Sequence, residues 1–80
     1  MPIDIILHIR NVDPILAEID KLPNPDDQIL IVRNPRFRDG REIHFIERDV
    51  KTVIWPLKEL TLIEVLTDEQ KEDIIGFVRE

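Results

Sequence analysis

The stretch QILIVRNPRFRDGREIHFI, Gln28 to Ile46, decides how this chain is read. Its opening QILIVR is apolar on both faces of an extended backbone. Its closing REIHFI sets Ile43 and Phe45 on one face against His44 and Ile46 on the other, the period of two that strands show. Between them, Pro35 cannot donate to a ladder and is expected to end pairing, while Asp39-Gly40 suits a reversal of direction. The stretch therefore predicts two strands joined as a hairpin with a longer loop. That loop also gathers charge, because Arg33, Arg36, Arg38 and Arg41 fall within nine residues of a chain whose formal net charge is -6.

Working outward, Ile3, Ile5, Leu7 and Ile9 alternate with Asp4, Ile6, His8 and Arg10, a strand with one buried face. Residues 14–22 admit two readings. Asp13 can N-cap and Pro14 open a helix carrying Ile15, Leu16, Ile19 and Leu22 on one side, and the same residues with period two put Ile15, Ala17 and Ile19 inward and Glu18 and Asp20 outward. Pro25 and Asp26 then suit a type I turn. Downstream, KTVIW is a strand stopped by Pro56, and LTLIEVL is another after a short connector. Thr67 opens a C-terminal helix with Gln70 completing a capping box, acids Asp68, Glu69, Glu72 and Asp73 in its first turns, and an apolar side of Ile74, Ile75, Phe77 and Val78. No repeat or linker divides the chain, so residues 1–80 read as a single domain. The expected fold is mainly β (α+β): a small curled sheet or SH3-like barrel of four to six strands with a C-terminal helix.

The segment VIWPLKELTLIEV, residues 53–65, resembles the end of small SH3-like and Sm-like barrels, in which a strand breaks at a proline-marked short turn and re-enters as a closing strand with an IE ending. The resemblance implies a barrel and, through Sm-like proteins, ring formation and RNA binding. The chain lacks the glycine-marked second strand and the aspartate and asparagine positions with which that family grips nucleotides. Separately, NPRFRDG with the later IWP and IEVL resembles short uncharacterised bacterial proteins, a likeness that implies no function.

Composition narrows the chemistry. With no Cys and only His8 and His44, neither a disulfide nor a metal site is expected, and no cofactor is called for. There is no Ser, no Gly-rich phosphate loop and no paired His at metal spacing, so an enzyme is not expected and a small hydrolase ranks last among the functional readings. Asp4 stands where a signal peptide would carry positive charge, and no apolar run reaches the roughly 20 residues of a membrane span, so a cytoplasmic protein without membrane contact is expected. Fourteen Ile and 35% charged residues point in the direction of heat adaptation.

The candidate site is the arginine loop. Residues 33–42 carry +2, leaving -8 on the other seventy. Arg33, Arg36, Arg38 and Arg41, with Phe37 among them as a stacking group, form a candidate site for anions or a partner. Arg forks suit carboxylates, and a second copy of this acidic chain would present many. The expected function is a non-enzymatic, self-associating interaction module, a homo-oligomer with a dimer favoured, whose loop docks acidic groups of itself or of an acidic protein partner. Nucleic-acid or phosphate binding through the same loop is the alternative. Trp55 is expected in the core or an interface, His8 and His44 at solvent or an interface, and the carboxylates Glu18 and Asp20 on a solvated edge.

Overall fold

The computed structural model describes residues 2–67, and in it the N-terminal alternation becomes β1 (Ile3–Ile9). A two-residue turn, Arg10 and Asn11, reverses the chain into β2 (Val12–Ile19), with Asn11 in the left-handed region at φ 63° where asparagine is tolerated. β3 (Ile29–Phe37), β4 (Thr52–Pro56) and β5 (Leu60–Val65) complete one antiparallel sheet in the order β4-β3-β2-β1-β5. A single 3-10 turn, Leu57–Glu59, carries the chain from β4 at one margin to β5 at the other, and the sheet is not closed.

One face of the sheet, the inner face, makes the core. Ile5 and Leu7 of β1, Ile15, Ala17 and Ile19 of β2, Leu30, Val32 and Phe37 of β3, and Trp55 of β4 pack together with Ile43 from the β3–β4 connection. Burying each Ile or Leu contributes about 1.5–3 kcal/mol, which makes this cluster the main source of stability. On the outer face, Ile6 and Leu16 sit opposite each other across β1 and β2, and both are also buried.

Residues 12–19 are strand, which resolves the ambiguity over residues 14–22. The Asp13-Pro14 signal for a helix start is overridden because β2 is central and needs apolar residues on both faces, which Ile15, Leu16, Ala17 and Ile19 supply. Pro14 survives there by occupying a bulge: Asp13 and Pro14 together stand opposite His8 alone.

Pro35 does the same in β3 and corrects the expectation that it ends pairing. Asn34 and Pro35 together face Ala17, and β3 runs on to Phe37. Asn34 takes the extra residue's left-handed conformation at φ 52°, and its N–H donates to the carbonyl of Lys51 at 2.8 Å, extending the ladder toward β4.

The expected strand REIHFI is not formed. Residues 41–50 are turns, in which Ile43 is buried and Ile46 packs against the core three residues on, with the Ile46 N–H donating to the Ile43 carbonyl at 3.1 Å. A spacing of three turns both isoleucines inward where a period of two would have split them. The hairpin partner of β3 is therefore β4, pairing from Ile29↔Pro56 to Arg33↔Thr52. Trp55 is in the core as expected, and Pro25 and Asp26 form a turn closed by the Asp27 N–H on the Asn24 carbonyl. The C-terminal helix expected after Thr67 falls on residues 68–80, outside the described residues.

The bulge at Asn34 predicts an asymmetry between substitutions. Asn34→Gly is expected to leave stability within a few tenths of a kcal/mol, whereas Asn34→Val is expected to cost about 1–2 kcal/mol, because a β-branched side chain resists positive φ. Urea denaturation of the two variants checks this, and equal midpoints would refute it.

Candidate functional site

β3 carries three of the five candidate residues and the turn that follows it carries the other two. The arginines are therefore not confined to one loop: Arg33 and Arg36 belong to the strand, and Arg38 and Arg41 to the turn. Arg33 lies opposite Glu18 on the outer face, and its guanidinium pairs with Asp20 just beyond β2. The Arg33 Nε is buried without a hydrogen-bond partner. Arg36, beyond the bulge, sits opposite Leu16 and spends one Nη1 donor on the Asn34 carbonyl at 2.7 Å. Four of its five guanidinium donors are left over.

The turn is closed by two backbone bonds, Gly40 N–H to the Phe37 carbonyl at 2.9 Å and Phe37 N–H to the Arg41 carbonyl at 3.1 Å, with Gly40 at φ 90°. Asp39-Gly40 reverses the chain as expected, in a tighter loop than the expected hairpin. Inside it, Asp39 accepts the Arg41 N–H at 3.0 Å and the Arg41 Nε at 2.6 Å, and Arg41 Nη2 also reaches Asp13 at 3.5 Å. The guanidinium of Arg41 stacks over the Phe37 ring, 4.9 Å from its centroid. Phe37 itself is buried opposite Ile15, so it serves the core and is not free to stack on a ligand. Arg38 is exposed, and among the described residues it pairs with no carboxylate.

Two of the four arginines thus neutralise acids of their own chain. The aromatic surface that remains available is one the sequence pattern misplaced. His44 and Phe45 are exposed and link into a chain of ring contacts: Phe37 to His44 at 6.3 Å, His44 to Phe45 at 5.3 Å, and Phe45 to Trp55 at 6.3 Å. Reading REIHFI as a strand put Phe45 on the same face as Ile43, and only the Ile43–Ile46 spacing of three pointed elsewhere.

A second surface lies on the outer face of β3 and β4. Ile31 stands opposite Ile54, and Ile29 opposite Pro56. Ile29, Ile31 and Ile54 are 50%, 53% and 60% exposed, and Leu22 nearby is 53% exposed. Beside them a shallow cleft of about 240 Å³ is lined by Leu22, Pro23, Ile29 and Ile31 with Asp20 and Asp27 among its walls. Its apolar side chains had been legible as a strand apolar on both faces.

On the other half of the outer face, the His8 Nε2 lies 2.6 Å from the Glu64 Oε1, and the Thr61 hydroxyl donates to the His8 carbonyl at 3.0 Å; together these hold β5 to β1. Glu18 is engaged by the Asn34 side-chain amide at 3.4 Å and Asp20 by Arg33, so the two carboxylates serve β3 and do not act as a pair. Among the described residues no three His, Cys, Asp or Glu side chains are grouped to hold a metal ion, and no helix is long and apolar enough to cross a membrane. Comparison with protein family models, with curated proteins and with solved structures finds no match to this chain.

The turn at Asp39 carries a pH dependence whose sign is fixed by its bonds. The Arg41 N–H first, and then the Arg41 guanidinium, hold the Asp39 carboxyl below the usual carboxylate value. A carboxyl depressed in the folded state supports the fold fully above its unfolded value of about 3.9, and that support is lost as pH falls through the lower folded value. The Arg41 amide resonance is expected to hold its position down to about pH 4 and to move upfield below it as the bond from a carboxylate is lost. Asp39→Asn is expected to abolish that titration, and an Arg41 amide that titrates unchanged in the variant would contradict the assignment.

Proposed function

We propose that this protein is a non-enzymatic interaction module that self-associates, with a dimer as the favoured state, and that it uses arginines of β3 and the following turn against acidic groups. The observation that carries this reading is the bare outer face of β3 and β4, where Ile29, Ile31 and Ile54 lie side by side in register and each is half exposed or more. A cross-strand apolar patch of this kind, in so small a domain, is a surface that association would bury. Arg36 and Arg38 stand with donor capacity left over, which suits docking to carboxylates.

The strand order, with β4 and β5 at opposite margins and joined by one 3-10 turn, supports the finer reading of the fold as an SH3-like barrel left partly open.

A second reading, single-stranded nucleic-acid binding, is favoured by one observation, the exposed His44 and Phe45, which the Phe37 ring links to the guanidinium of Arg41. Base stacking on such a ring contributes about 1–3 kcal/mol, but the net charge of -6 opposes the approach of a polyanion.

Light scattering at high micromolar concentration is expected to give a dimer for the wild type and a monomer for Ile31→Asp and Ile54→Asp, with circular dichroism unchanged. Replacing Arg36 and Arg38 together with Glu is expected to weaken assembly. Oligonucleotide titration at low salt is expected to show no binding; binding that Phe45→Ala abolishes would shift the assignment to nucleic acid.

A further inference from the structure

Charge and hydrophobicity are ordered along β3. At its N-terminal end, with Asp20 paired to Arg33, the turn residues Asp26 and Asp27 together with Lys21 leave a net -1. Next come the exposed Ile29 and Ile31 of the outer face. Beyond Arg33, which is already paired with Asp20, stands Arg36 on the same face with most of its donors unspent. One edge of the apolar patch is therefore acidic and the other basic.

The spacings are balanced about Ile31. Arg33 is two rungs on, and Arg36 is two more, since the bulge places Asn34 and Pro35 opposite Ala17 alone. At about 3.3 Å per rung, Arg36 lies about 13 Å from Ile31. In the other direction Asp27 lies four residues back, again about 13 Å along an extended chain. The ladder continues to Gln28, whose carbonyl accepts the Leu57 N–H at 2.9 Å, and Asp27, next to it at the end of the turn, shares the cleft wall with Ile29 and Ile31. Asp27 uses one carboxylate oxygen for the Asn24 N–H at 2.8 Å, and the neighbouring Asp26 is exposed.

We propose that a second copy of this chain covers the outer face of β3 and β4 about a two-fold axis near Ile31, setting Arg36 of each copy against Asp26 and Asp27 of the other. The inference rests on the self-association proposed above and adds its geometry. A two-fold axis lying between the two sheets and perpendicular to β3 reverses the partner's β3, so a point about 13 Å to the basic side of Ile31 on one copy meets the point about 13 Å to the acidic side on the other. The apolar residues meet their own counterparts at the centre, and the two ion pairs flank them at the rim. Sheets packed in this way stand about 10 Å apart, within reach of an arginine side chain. The contact is self-complementary and closes at two copies, so it does not propagate into a filament.

Charge exchange tests the register. Asp26 is the acid to vary, because Asp27 also holds the turn through Asn24. In sedimentation velocity at low salt, Arg36→Glu and Asp26→Lys are each expected to weaken the dimer about tenfold, and the double variant to return within about threefold of wild type, since both ion pairs are then reversed. Circular dichroism verifies that each variant is folded, and Arg36→Gln, which cannot repel, is expected to fall between wild type and Arg36→Glu. A wild-type dimer that Ile31→Asp dissociates but that the charge exchange fails to restore would overturn this geometry and leave self-association through the apolar face standing. A wild-type monomer would overturn both, and the face would then belong to a different partner.

Discussion

In a strand flanked on both sides every backbone N–H is called on, alternate residues donating to alternate neighbours, and proline has none to offer. This chain places Pro14 in β2 and Pro35 in β3, two of the three strands that stand between neighbours in the sheet. Both are absorbed the same way, as members of a two-residue bulge facing one residue of the adjacent strand. A third bulge, on β5 at Thr61, lies beside the first, so His8 of β1 has an irregular neighbour on either side. Bulges sharpen local twist. The curl that brings Leu7, Ile15, Val32 and Trp55 into one core is thus a product of the same residues that would otherwise break the sheet.

The bulge at Asn34 also sorts the arginines. Without the extra residue, β3's period of two would turn Arg36 toward the core and Phe37 outward; with it, Arg36 returns to the outer face and Phe37 to the core. Arg33, on the near side, is drawn to Asp20, and Arg41 is drawn back over Phe37 by Asp39 and Asp13. A cluster that is compact in sequence is therefore divided by the backbone into cations that stabilise the chain and cations left for something else. Surface pairs of this kind contribute little individually, about 0–1 kcal/mol, so their effect is more on where charge remains than on stability.

Much of this was legible in the residues. The alternation of Ile3 to Ile9, the turn at Pro25-Asp26, the burial of Trp55 and the break at Pro56 followed by a short connector and another strand all follow from local rules that the tertiary structure leaves in force. The failures share a cause. Pro35, the REIHFI segment and the helix alternative for residues 14–22, one of two left open, each rest on a rule that assumes regular register: a proline starts a helix or ends a strand, and alternating apolar residues make one. Bulges and the Ile43–Ile46 turn are departures from register, set by which neighbour a residue faces, and a single sequence does not display its neighbours. For the site, the charge concentration was visible, but the internal partners of Arg33 and Arg41 lie on or just beyond β2 and in the turn, and the exposure of Phe45 follows from turns where a strand was expected.

The pairing of β1 with β5 bears on how the chain reaches this state. β1 and β2 are joined by two residues and can zip together as soon as both exist, whereas Ile5 must find Val65, sixty positions along the chain. Closing so large a loop costs entropy before any contact compensates, and sheets dominated by such pairings fold on a scale of milliseconds to seconds. During synthesis the first strand has one flank unoccupied until Leu60 to Val65 have been made. The hairpin of β1 and β2 can form early, whereas β5 can reach β1 only once every strand between them has been made.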